Sequence, residues 1–101
     1  RMQENKYLIR LKNLVLSSLS GEKVKVILFG SRARGDSQKT SDVDIGVMPY
    51  GKFDEKRMVL LKEKIEDLNI PYKVEIVDFS HVSGNFKKEA LKGAVIWKDG
   101  N

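Results

Sequence analysis

Apolar residues at Tyr7-Leu8-Ile9, Leu11, Leu14-Val15-Leu16 and Leu19 recur at helical spacing, and Gly21 follows where a left-handed cap is wanted, so an amphipathic helix opens the chain. Val24–Phe29 is a short, β-branched, almost wholly apolar run closed by Gly30, which fits a buried strand. A polar stretch to Ser41 follows, and then Val43, Ile45 and Val47 alternate with Asp42, Asp44 and Gly46, the pattern of a strand with one polar face. Pro49, Tyr50 and Gly51 end it. Met58, Leu61, Ile65 and Leu68 return to a helical period that Asn69 and Pro71 terminate. Residues 73–78 read as a third strand. Ser83 caps a short helix through Leu91 that ends at Gly93, and residues 94–97 add a last strand. The order α-β-loop-β-α-β-α predicts an α/β (α+β) unit, a small mixed sheet flanked by helices, in one domain over residues 2–101.

Composition narrows the class. At 101 residues, 41% of them hydrophobic, the chain suffices for one core and leaves no room for a second domain. With no cysteine there is neither a disulfide framework nor a thiolate metal site, and no apolar run is long enough to span a bilayer. The expectation is a soluble, cytoplasmic protein that does not insert into membranes. A net charge of +5 favours phosphate-rich or acidic partners, but the lysines are dispersed and the aromatics scattered, which ranks a nucleic-acid-binding module last. His81, the one histidine, falls in a predicted loop and receives no role. Tyr50 and Phe53 are read as packing residues ahead of base-flanking ones.

The chemistry concentrates between Gly30 and Asp44. Residues two apart on a strand project to the same face, roughly 6.5–7 Å apart, so Asp42 and Asp44 point together while Val43 and Ile45 enter the core. Paired carboxylates of this kind suit Mg²⁺, which takes one or two carboxylates together with phosphate oxygens and water. Gly30 lets the backbone approach a phosphate, and Ser31 offers a hydroxyl and an N–H. Arg32 and Arg34 both carry charge to phosphates, but one helical turn faces only one of them toward a ligand; Arg34 is preferred. The stretch is not a P-loop, because Gly35 is followed by Asp36-Ser37 rather than Lys-Ser/Thr. A two-metal site wants a third carboxylate. Period-2 geometry favours Glu75, opposite the Val74 and Ile76 face, over Asp78, which falls at the turn into Phe79.

Gly30-Ser31, ten residues, then Asp42-Val43-Asp44, within Gly-Ser-Arg-Ala-Arg-Gly-Asp and Ser-Asp-Val-Asp, resembles the signature of the DNA polymerase β nucleotidyltransferase superfamily, with its palm-like fold. Val74-Glu75-Ile76 resembles the later acidic triplet, with glutamate where aspartate is commoner. The short chain is similar to the minimal nucleotidyltransferases, many of which are antitoxin partners of helical HEPN toxins. The resemblance implies ATP as substrate, two Mg²⁺ ions on Asp42, Asp44 and Glu75, and nucleotide contacts from Gly30, Ser31, Arg34 and Ser41. It also implies transfer of AMP to a HEPN-type protein. The competing expectation is a non-catalytic antitoxin that masks its partner; direct nucleic-acid binding and homo- or hetero-oligomer formation stay open.

Overall fold

A computed structural model describes residues 5–35 and 42–100. Helix α1 spans Lys6–Ser18, and its first turn is capped by Asn5, whose side-chain oxygen accepts from the Tyr7 N–H at 2.8 Å. The helix stops at Leu19, two residues short of Gly21, whose φ of +84° turns the chain toward the sheet. Strand β1 (Val24–Phe29), the single-turn helix α2 (Ser31–Arg34) and strand β2 (Val43–Pro49) follow. Next come helix α3 (Lys56–Asp67), strand β3 (Val74–Asp78), a 3-10 turn at Phe79–His81, helix α4 (Gly84–Leu91) and strand β4 (Val95–Gly100). Helix α2 is the element not expected as a separate helix, because four residues carry no period.

The strands lie in the order β3-β2-β1-β4, with β1 antiparallel to both β2 and β4, and β2 parallel to β3. The sheet is therefore mixed, as expected, and α3 is the crossover between its parallel pair. One face carries Val24, Val26, Leu28, Val43, Ile45, Val47 and Ile76 against Leu11, Val15 and Leu19 from α1 and its end, and Met58, Leu61 and Ile65 of α3. Each fully buried side chain among these contributes about 1.5–3 kcal/mol relative to exposure.

The opposite face is only half covered. Ile27, Phe29 and Met48 pack there with Phe79 and Ala90, and the Phe29 and Phe79 rings meet edge-to-face at 5.4 Å. From Val26 to Phe29 β1 is buried on both sides, which is why its sequence there is a continuous apolar run rather than an alternation. Gly46 belongs to this face because a Cβ there would stand 2.6 Å from the Phe79 ring. The aromatic cluster of Phe29, Phe79 and Phe86 reaches the end of this face where Phe29 pairs with Asp44. Among the described residues no helix is long and apolar enough to cross a membrane.

Candidate active site

Three segments meet at one end of the sheet. Strand β1 ends at Phe29, opposite Asp44, and the next residue, Gly30, starts the turn into α2. Gly30 has φ +83° and ψ −166°, a region that side chains essentially exclude. Its conformation serves a close approach. A Cβ at Gly30 would overlap Oδ2 of Asp44 and lie 3.3 Å from its Cγ, so the backbone passes directly over the carboxylate. The Gly30 carbonyl accepts the Arg34 N–H at 3.2 Å, closing the one turn of α2, and Gly35 ends it in the left-handed region at φ +79°.

Asp44 occupies the centre of this end, with Phe29 on one side and Glu75 in register on the other. Two factors push its pKa above the ordinary carboxylate value: partial burial first, then repulsion from Glu75 and Asp42. Asp42, just before β2, is exposed, and its charge reaches Asp44, as expected of residues two apart on one strand face. Glu75 is more than half exposed and leans toward Lys73, whose ammonium is 3.9 Å away. It also borders a hollow of about 290 Å³ with Val74, Ile76, Lys62, Ile65 and Glu66. Asp78 aligns with Val47, at the other end of β3, where its Oδ1 accepts the Ser80 N–H at 2.8 Å. The register thus brings Glu75, not Asp78, beside Asp44.

Ser31 begins α2 next to Gly30 and is half-buried. Arg32 and Arg34 diverge: Arg32 is half-buried with its guanidinium 4.4 Å from the centroid of the Tyr72 ring, while Arg34 is exposed and its stem passes Gly93. Ser41, expected among the nucleotide contacts, lies outside the described residues. Tyr50 follows the end of β2 opposite Asp44 and bonds Asp99, and Phe53 packs against the core, so the packing reading holds for Phe53.

The all-oxygen donor set of Asp42, Asp44 and Glu75, with like charges disfavouring one another around a partly buried carboxylate, fits a hard divalent cation. Sequence reasoning passed over a second group. His81 Nε2 lies 3.1 Å from Glu55 Oε2 and 3.8 Å from Asp78 Oδ2, and the donor atoms of these three residues fall within 4.8 Å of one another, the arrangement of a potential metal site. Its members are Glu55 just before α3, Asp78 at the end of β3 and His81 in the 3-10 turn, with Glu55 and His81 26 residues apart, so no local motif marks the group.

The raised pKa of Asp44 has a consequence for stability. The folded chain holds this proton more tightly than the unfolded one, so the contribution is present below the ordinary carboxylate value near 3.8 and is lost as pH rises through the raised pKa. Without divalent ions, the melting temperature of Asp44→Asn relative to the parent should climb with pH across that interval and level off above it. A difference that is flat or falls with pH would show that Asp44 is not destabilised by its surroundings.

The geometry has counterparts among known proteins. The probable protein adenylyltransferase MntA of Haemophilus influenzae is 29% identical over 68 residues, 67% of this chain and 60% of that protein. MJ0604 of Methanocaldococcus jannaschii is 42% identical over 53 residues, 52% of this chain and 53% of its own. The chain thus spans little more than half the length of these relatives. A solved structure of a tri-AMPylated Shewanella oneidensis HEPN toxin in complex with an MNT antitoxin shares the fold, with a TM-score of 0.64 at 17% identity over 93% of this chain and 71% of that one. The polymerase β nucleotidyltransferase family matches residues 16–100, spanning the glycine-serine turn, both aspartates and Glu75. With that match over most of its length, this chain belongs to the polymerase β nucleotidyltransferase family.

Proposed function

We propose that this chain transfers AMP from ATP to a hydroxyl on a partner protein of the helical HEPN type, as the antitoxin of a toxin–antitoxin pair. The observation that carries the reading is the placement of the Gly30 backbone directly over Asp44, with Glu75 in register beside it. A phosphate-approaching turn and a carboxylate cluster at one sheet end make a site for a metal-bound triphosphate. The adenylyl donor and the HEPN acceptor rest on what the MntA relative and the Shewanella complex are named for.

Asp42 and Asp44, with Glu75, would hold two Mg²⁺ ions, which when bound neutralise the triphosphate and the charge that develops during transfer. Gly30 and Ser31 present backbone N–H groups and a hydroxyl to the phosphates, with Arg34 and Ser41 as further contacts. Glu75 accepts the proton of the acceptor hydroxyl, whose oxygen forms the new bond to the α-phosphorus. The bond from the α-phosphorus to its bridging oxygen breaks, and pyrophosphate leaves.

The test is co-expression with a HEPN-type protein, purification of the pair, and incubation with α-labelled ATP and Mg²⁺. Label is expected on the partner, with an added mass of one AMP per modified hydroxyl. A stable complex that acquires no label, with or without Mg²⁺, would instead support an antitoxin that acts by masking.

A further inference from the structure

Tyr72 stands two residues before β3 and forty residues from Arg32 in sequence, yet it touches both α2 and the start of α1. The guanidinium of Arg32 lies over its ring at 4.4 Å, close enough for cation–π attraction and planar stacking. Its hydroxyl accepts from the side-chain amide of Asn5, which caps α1, and the Tyr7 ring meets it edge-on at 6.0 Å. The neighbouring Lys73 carbonyl accepts the N–H of Val43, between the two aspartates, at 2.9 Å. Three residues past Tyr72, Glu75 pairs in register with Asp44.

A four-residue helix cannot hold its own position, since one turn leaves nearly every backbone group short of an intrahelical partner. The turn that carries Ser31 must therefore be held from outside. We propose that Tyr72 is a positioning residue for the phosphate-binding turn: by stacking on Arg32 it sets the distance between Ser31 and the acids of β2 and β3. This inference rests on the nucleotide-transfer reading. Arg32 then serves as the handle by which the turn is gripped, on the side away from Arg34, because residues two apart on a helix lie about 200° around its axis.

Titration of the whole chain with ATP in Mg²⁺, beside thermal melts of the same variants, tests it. Tyr72→Leu is expected to weaken binding about 3- to 10-fold, the range of a cation–π contact of this kind. Tyr72→Phe keeps the ring and should bind within about 2-fold of the parent. Arg32→Lys keeps the charge but not the planar stack and should match Tyr72→Leu, which guards against a leucine variant that fails to fold. In an Arg32→Ala background, Tyr72→Leu should add no further loss. Parental affinity in Tyr72→Leu or Arg32→Lys, or an undiminished loss in the Arg32→Ala background, overturns the inference while leaving the nucleotide site standing. A parent chain that binds no ATP overturns both.

Discussion

Asparagine at position 44 is expected to reduce AMP transfer by about three orders of magnitude or more while the chain stays folded, and in the absence of divalent ions melts no lower than the parent at neutral pH. The two effects have one cause. Asp44 is the carboxylate that burial, Glu75 and Asp42 all make costly to ionise, so losing its charge relieves the fold. That same charge lies against the glycine-serine turn, where it would hold the cation that carries a polyphosphate. Asparagine has nearly the same shape, so the Gly30 approach and the pairing with Phe29 and Glu75 persist. Initial rates of label transfer, read beside melting curves at neutral pH, check both halves. Near-parental transfer would remove Asp44 from the site; lost transfer with a lower melting temperature would make it a structural residue. Glu75→Gln should be milder, because Glu75 is more exposed and in the proposed reaction would act on the acceptor rather than at the centre of the acid cluster.

Much of this arrangement was legible in the sequence because it follows from alternation. Val43 and Ile45 bury one side of β2, which sends Asp42 and Asp44 to the other, and the same rule applied to Val74 and Ile76 sends Glu75 there too. Pairing was not legible. Alternation assigns faces but not neighbours: it favours Glu75 over Asp78, but only the parallel register of β2 with β3 sets Glu75 beside Asp44 and Asp78 opposite Val47. The preference for one arginine of the turn over the other rested on helical geometry, but the partner of Arg32 is forty residues distant and no spacing rule reaches it. The Glu55, Asp78 and His81 group escaped for a similar reason: a histidine read alone looks solvent-facing, and its neighbours arrive only when α3 and β3 are folded together.

Gly30→Ala is expected to be the most damaging small substitution in the chain, lowering stability by about 2 kcal/mol or more and removing measurable ATP binding. Two costs add at this position. A residue with a Cβ resists the combination of φ +83° and ψ −166°, for which strain of about 1–3 kcal/mol is typical. The methyl would also overlap the Asp44 carboxylate, and the collision is relieved only by moving Asp44 or lifting the turn away from it. Either movement separates the backbone of the turn from the acids. Gly21→Ala separates the two costs, since Gly21 has φ +84° but nothing within 4 Å of an added Cβ. It should lose about 1 kcal/mol to strain alone and bind ATP as the parent does. Chemical denaturation and ATP titration of the two variants side by side test the argument. Equal loss of stability in both, with ATP binding retained by Gly30→Ala, would mean that Gly30 is needed for its backbone angles and not for the closeness of the turn to Asp44.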